Sequence, residues 1–183
     1  MNDDTWLIDL RELGRAPGSM QPLRQRLASP ERLGTEMIAI PEGASVDLDL
    51  RLESVTEGVL VSGTVTAAAV GECVRCLDPV TRQVRLSVQE LYAYPGTSTD
   101  ETTDAEEIRR VVDEHLDLLA LVRDGVVLDL PLHPLCREDC RGLCPECGER
   151  LDSLPADHAH ATADPRWSAL AALLDQADRR DEG

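Results

Sequence analysis

The sequence predicts an α+β protein in which an antiparallel β-sheet domain is followed by a cysteine-rich module and a C-terminal helix. Three observations predict it. Residues 46–53 read Val-Asp-Leu-Asp-Leu-Arg-Leu-Glu. This alternation puts Val46, Leu48, Leu50 and Leu52 on one face and Asp47, Asp49, Arg51 and Glu53 on the other, as a half-buried antiparallel strand requires. The six cysteines fall in short-spaced groups, Cys73 with Cys76, and Cys136, Cys140, Cys144 and Cys147 within one run. Asp164-Pro165-Arg166-Trp167 then supplies a capping carboxylate and a proline for the first turn, with Trp167, Leu170, Ala171 and Leu174 following at helical spacing.

Taken in chain order, residues 6–10 (Trp-Leu-Ile-Asp-Leu) alternate briefly and predict an edge strand. Residues 14–35 carry Gly14, Pro17, Gly18, Pro22, Pro30 and Gly34 and predict irregular chain, with a helical turn at 24–27. Arg24, Arg26 and Arg32 there read as a solvated face. After the strand at 46–53, Glu57-Gly58 turns the chain into a second strand over 59–70, where Gly63 marks a bulge or a close neighbour. Asp47 and Asp49 resemble a carboxylate pair, but alternation alone accounts for them.

Residues 71–79, Gly-Glu-Cys-Val-Arg-Cys-Leu-Asp-Pro, then place a thiol pair where a hairpin should turn. A third strand follows over 80–94 with Val84, Leu86, Val88 and Tyr92 inward. Residues 97–107, with Asp100, Glu101, Asp104, Glu106 and Glu107, predict a flexible acidic linker. Residues 108–116 fit strand and helix equally. Asp117 can cap a helix through Leu118, Leu121, Val122 and Val126 that ends by Pro131. Pro131-Leu-His-Pro134 delivers extended chain to Cys136, with His133 a positioning residue and His115 a structural one. The organisation expected is a β domain over 1–96 carrying the Cys73/Cys76 knuckle, a linker over 97–107, and a part over 108–183 in which a helix, the cysteine-rich module and the C-terminal helix pack on the β domain.

Composition narrows the chemistry. The chain has 183 residues, a formal net charge of −17 and a pI near 4.5, and its 18 basic residues are all arginine. Without lysine there is no Schiff-base nucleophile and no P-loop phosphate ligand. Two Trp, two Tyr and no Phe leave little for base stacking. No apolar run approaches the roughly 20 residues of a membrane helix, and the N-terminus has no signal-peptide pattern, so a soluble, cytoplasmic protein is expected.

The cysteines point to metal. Cys144-Pro145-Glu146-Cys147-Gly148 is a knuckle in which two thiolates reach one ion and glycine permits the turn beneath it, so the module reads as zinc-ribbon-like. Asp157-His158-Ala159-His160 adds two imidazoles downstream. Eight donors then divide into Cys73, Cys76, Cys136 and Cys140 on one Zn2+ and Cys144, Cys147, His158 and His160 on another. A competing division puts Cys136, Cys140, Cys144 and Cys147 on one ion and leaves Cys73 and Cys76 as a thiol pair or with the histidines. The first is preferred because an exposed orphan pair is oxidisable. In both, four protein donors close each shell, which makes the zinc structural. Disulfides need an oxidising compartment, a thioredoxin-type pair needs a strand-to-helix setting, and an iron–sulfur cluster on the 136–147 run fits the Pro-Gly knuckle less well than zinc does.

Pro-Leu-His-Pro-Leu-Cys-Arg-Glu-Asp-Cys-Arg-Gly-Leu-Cys-Pro-Glu-Cys-Gly, the upstream Cys-Val-Arg-Cys, the early Ile-Asp-Leu-Arg-Glu-Leu and the terminal Asp-Pro-Arg-Trp together resemble the YceD family of large ribosomal RNA subunit accumulation proteins, over nearly the whole chain. The resemblance implies support of 23S rRNA synthesis, processing or stability, and so a large-subunit biogenesis factor. Many members of the family carry Cys-x-Cys where this chain has His158-Ala-His160: the donor type departs and the spacing stays.

A non-enzymatic role is therefore expected, in contact with a basic ribosomal protein or a pre-50S assembly intermediate, with no membrane and no small-molecule substrate. An acidic surface gains nothing by counterion release from RNA and can steer a basic partner. The alternative is an RNA-binding zinc module that touches rRNA through Arg137, Arg141 and Arg150 around the knuckle. A zinc or thiol enzyme lacks a nucleophile–base constellation.

Overall fold

Long alternating segments give this chain its frame, because each can bury one face only by pairing with the next. The computed structural model describes residues 3–102, 104 and 108–160. After a 3-10 turn at Asp3–Trp6 come β1 (Leu7–Asp9), β2 (Met20–Ala28), β3 (Leu33–Gly34), β4 (Ile38–Ile40), β5 (Ser45–Val55), β6 (Gly58–Glu72) and β7 (Pro79–Ala93). A short helix α1 (Ser98–Thr102), β8 (Arg109–Arg110), β9 (His115–Asp117) and α2 (Leu118–Asp129) follow. The main sheet runs β2-β5-β6-β4-β3, with β7 antiparallel to β6 and β8 parallel to β7, while β1 and β9 form a separate antiparallel pair. The chain divides into two compact units, Met1–Cys140 and Arg141–Gly183. The helix expected from Asp164 lies outside the described residues.

The inward faces of β5 and β6 bury Val46, Leu48, Leu50, Leu52, Val61 and Val65, and α2 adds Leu118, Leu121, Val122 and Val126. Asp117 caps α2 by accepting from the Leu119 N–H at 2.8 Å, and the helix stops at Asp129, before Pro131. Trp6 is 1% exposed, and its indole N–H donates to the Ala28 carbonyl at the end of β2.

Two sequence expectations are corrected. Residues 20–28 form a strand, with no helical turn at 24–27: β2 pairs with β5 from Met20↔Glu53 to Ala28↔Ser45. It lies at the sheet edge, where Pro22 costs no ladder hydrogen bond, and only Leu23 and Leu27 are buried on its inner face, at a spacing that mimics a helix. Its arginines are exposed, as expected, and also paired, Arg24 with Asp49 at 2.9 Å and Arg26 with Asp47 at 2.5 Å. The second correction is α1, which starts inside the stretch expected to be linker. Glu57 anchors it by accepting from the Ser98 hydroxyl and the Thr99 N–H, and these bonds hold the Glu57 carboxyl below its ordinary range.

Gly63 has φ +144, and a Cβ there would stand 2.3 Å from the Asp49 carbonyl oxygen of β5. The strand needs glycine at this position because its neighbour approaches so closely. Gly63→Ala is expected to cost about 2 kcal/mol or more, read as a lowered melting temperature with unchanged metal content.

Candidate metal centres

The β6–β7 hairpin is where the first thiol pair becomes useful. The strands end at Glu72 and begin again at Pro79, and the tip between them carries Cys73 and Cys76. Two hydrogen bonds close the tip, from the Leu77 N–H to the Cys73 carbonyl at 2.9 Å and from the Cys73 N–H to the Asp78 carbonyl at 2.8 Å. Chain leaving α2 is drawn onto it. The Val74 N–H donates to the Pro134 carbonyl at 3.0 Å, and the Arg75 guanidinium donates to the Cys140 carbonyl at 2.7 Å. Cys136 and Cys140 thereby meet Cys73 and Cys76, with the four sulfurs all within 4.8 Å of one another.

The second unit builds the same turn around different donors. The Gly148 N–H donates to the Cys144 carbonyl at 2.8 Å and the Cys144 N–H to the Glu149 carbonyl at 2.7 Å. Gly148 has φ +73, which glycine adopts without cost. A bridge between Leu143 and Arg150 closes the base of the turn. Cys144, Cys147, His158 and His160 offer ligand atoms within 4.8 Å of one another, with the two imidazoles edge-on at 4.5 Å between ring centroids.

The spacing tests whether one ion fits. A Zn–S bond of about 2.3 Å and a Zn–N bond of about 2.0–2.1 Å put tetrahedral donors roughly 3.6–3.8 Å apart. The Cys73 and Cys140 sulfurs are 3.8 Å apart, Cys76 and Cys136 3.5 Å, and Cys147 Sγ lies 3.7 Å from His158 Nε2. A disulfide needs about 2.05 Å, and all six cysteines are free. Both clusters can hold a metal ion, and each offers four protein donors.

Electrostatics show what an ion would relieve. Burial pushes the Cys73 thiol up, but the backbone N–H groups of Cys136, Arg75 and Cys76 outweigh it and bring the thiol down to about 6. Cys76 is pushed up to about 12, by burial first and then by the sulfurs of Cys136, Cys73 and Cys140. At Cys136 the hydrogen bond with Cys76 lowers the thiol, but burial together with Cys140 and Cys73 raises it on balance. Four thiolates at this spacing cannot all ionise without a cation among them. In the second cluster the N–H groups of Cys147 and Glu146, then His158, bring Cys144 down to about 6.

His133 is exposed and lines a shallow hollow with Ile38, Val80, Thr81, Arg82 and Pro131. Neither His133 nor His115 belongs to a donor cluster among the described residues. His115 sits half-buried in β9 with Nδ1 2.7 Å from the Asp113 carbonyl. The three arginines singled out around the knuckle divide between the units. Arg137 pairs with Asp139 at 3.1 Å, Arg141 donates to the Leu151 carbonyl at 3.1 Å, and Arg150 is also engaged. Sequence reasoning passed over Leu77, which occupies in the first knuckle the place of Gly148 in the second; setting the two Cys-x-x-Cys-x strings side by side reveals it.

A family model described as large ribosomal RNA subunit accumulation protein YceD matches residues 61–174, a span that includes every donor named above. The chain belongs to the YceD family. Relatives of this YceD chain include uncharacterized proteins of Mycobacterium bovis and Mycobacterium tuberculosis, each 54% identical over 167 residues, or 91% of this chain and 80% of theirs. An uncharacterized protein of Mycobacterium leprae is 45% identical over 168 residues, 92% of this chain and 77% of its own. No solved structure matches. The family's description gives YceD a role in accumulation of the large ribosomal RNA subunit and names no reaction. No helix among the described residues is long and apolar enough to cross a membrane.

Proposed function

We propose that this YceD protein is a non-enzymatic, cytoplasmic factor for 23S rRNA accumulation and large-subunit biogenesis that works by holding a basic ribosomal protein or a pre-50S intermediate rich in such proteins. Both clusters take zinc in this reading. Four thiolates suit zinc or iron, whereas a mixed Cys2His2 set suits zinc. A zinc ion in either site supplies a cross-link, and four protein donors leave no position for a reactive water.

One observation carries the mode of action: on a chain of net charge −17, several guanidiniums among the described residues are paired with carboxylates where they stand. Arg24, Arg26, Arg109, Arg123 and Arg137 each face a carboxylate within 3.1 Å. Exposed pairs of this kind add little stability, but they remove cations that phosphate would need, and the uncompensated charge is negative. Ribosomal proteins are strongly basic and, before assembly, need that charge screened. An acidic holder can do this and yield its cargo as rRNA competes. Loss of the protein would then lower mature 23S rRNA indirectly, through late or failed delivery.

The rival is direct docking of Arg137, Arg141 and Arg150 on rRNA. Purified protein mixed with 23S rRNA fragments at about 0.15 M salt is expected to show no tight binding. Saturable binding that disappears when the three arginines become alanine would sink the holder reading. Binding to the basic partner should weaken as salt rises, since rim charges govern it.

A further inference from the structure

The two knuckles share one pair of closing backbone hydrogen bonds and differ in the residue that follows the second cysteine, Leu77 in one and Gly148 in the other. In each, the N–H of the residue after the second cysteine donates to the carbonyl of the first, and the N–H of the first cysteine donates to the carbonyl two residues beyond the second. That backbone puts the residue after the second cysteine in the left-handed region, φ +73 for Gly148 and φ +61 for Leu77. Glycine takes this conformation freely; a leucine is strained by its Cβ. Strained leucines persist where the side chain is packed, yet Leu77 is 59% exposed. The chain thus holds an apolar side chain in an unfavourable backbone state and leaves it facing solvent, and residues held in such states cluster at functional sites.

The neighbourhood extends this. Met37 is exposed, and its carbonyl accepts from the Glu72 N–H beside the tip. Leu132 is 72% exposed and lies two residues before Pro134, whose carbonyl accepts from Val74 within the tip. Glu72 and Asp78 flank the tip in the chain, and Glu138 and Asp139 lie between Cys136 and Cys140, whose sulfurs meet those of the tip. Arg75 is held by the Cys140 carbonyl and Arg137 by Asp139, while Arg82 lies beside Ile38, Pro131 and His133. A tetrathiolate zinc site adds about −2 beneath the same surface. Apolar side chains inside an acidic rim fit a basic protein with an apolar pocket, and repel phosphate.

We propose that Leu77 is the anchor by which this protein grips its basic protein partner, inserted from the tip of the first knuckle into an apolar pocket while the surrounding carboxylates meet the partner's positive charge. This rests on the holder reading and names the surface that performs it. A few side chains seated in desolvated pockets carry most of an interface's binding energy.

The test uses the zinc-loaded full chain against the mixed proteins extracted from purified large ribosomal subunits, with what is retained identified by mass spectrometry and its affinity then measured on the purified component. Leu77→Gly relieves the backbone strain at some entropic cost, so its melting temperature should be unchanged or higher by roughly 2–4 °C, with metal content unaltered. Its binding, and that of Leu77→Ala, should weaken by about tenfold or more, while Leu77→Met should bind as the parent does. If the parent chain retains a basic ribosomal protein and Leu77→Ala and Leu77→Gly retain it equally, the anchor is wrong and the holder reading stands. If the parent retains none, both fall together. A binding loss accompanied by lost zinc in Leu77→Gly would make Leu77 a structural residue and overturn the proposal.

Discussion

Cys73→Ser is expected to reduce the bound zinc from about two ions to about one, and to lower the melting temperature by roughly 10 °C or more. Cys73 is fully buried and takes three backbone N–H groups on its sulfur, so a serine oxygen there is a poor ligand that still loses solvation. The remaining thiols of Cys76, Cys136 and Cys140 would stay crowded without a cation to settle them. Without the ion, the hairpin tip and residues 131–140 are joined by weaker contacts such as the Val74 and Arg75 hydrogen bonds to the Pro134 and Cys140 carbonyls. The sheet itself should survive, because its core of Val46, Leu52, Val61, Ile38 and Trp6 does not pass through the metal site. Limited proteolysis should therefore cut first within 131–140, and Cys140→Ser should reproduce every effect. Elemental analysis decides the matter: metal content unchanged by both substitutions would remove this cluster as a zinc site.

The middle of the fold was legible because β5, β6 and β7 each have one wet and one dry face, and period-two alternation reports that directly. β2 was not, since an edge strand buries little: with Gln25 on its inner face and Pro22 near its start, Leu23 and Leu27 are the only apolar signal left, four residues apart. The pairing of Arg24 with Asp49 and of Arg26 with Asp47 depends on register between strands distant in sequence, which composition does not encode. The strands β8 and β9 are too short for any periodicity, and α1 depends on Glu57 from a remote turn. The donor clusters were accessible by counting, because eight donors at knuckle spacing divide naturally into fours. Which cysteines meet, however, is decided by the hairpin tip receiving the chain that leaves α2. Leu77 escaped because its peculiarity is a backbone angle, which the sequence signals only through comparison with Gly148 at the same place in the second knuckle.

His158→Ala should unfold residues 141–160 while leaving the first unit's melting transition in place. The described part of the second unit has almost nothing else to hold it: of residues 141–160 only Gly142 and Cys144 are buried. Its turns rest on a few backbone bonds, such as Leu151 N–H to the Gly142 carbonyl at 3.0 Å. Segments this small do not fold on apolar burial, and a structural zinc supplies about 10–16 kcal/mol of apparent binding energy in comparable peptides, so the ion and the fold are one equilibrium. Removing one imidazole of a Cys2His2 set leaves three donors and lowers affinity by orders of magnitude. Hydrogen exchange should show amide protection in 141–160 falling by about a hundredfold or more, and Cys144 and Cys147 should become alkylatable while Cys73 and Cys76 stay protected. His158→Cys, which restores a fourth donor, should return both readouts toward the parent values. If Cys73 and Cys76 are exposed along with Cys144 and Cys147 in His158→Ala, the two centres are a single coupled system, and the assignment of one ion to each unit fails.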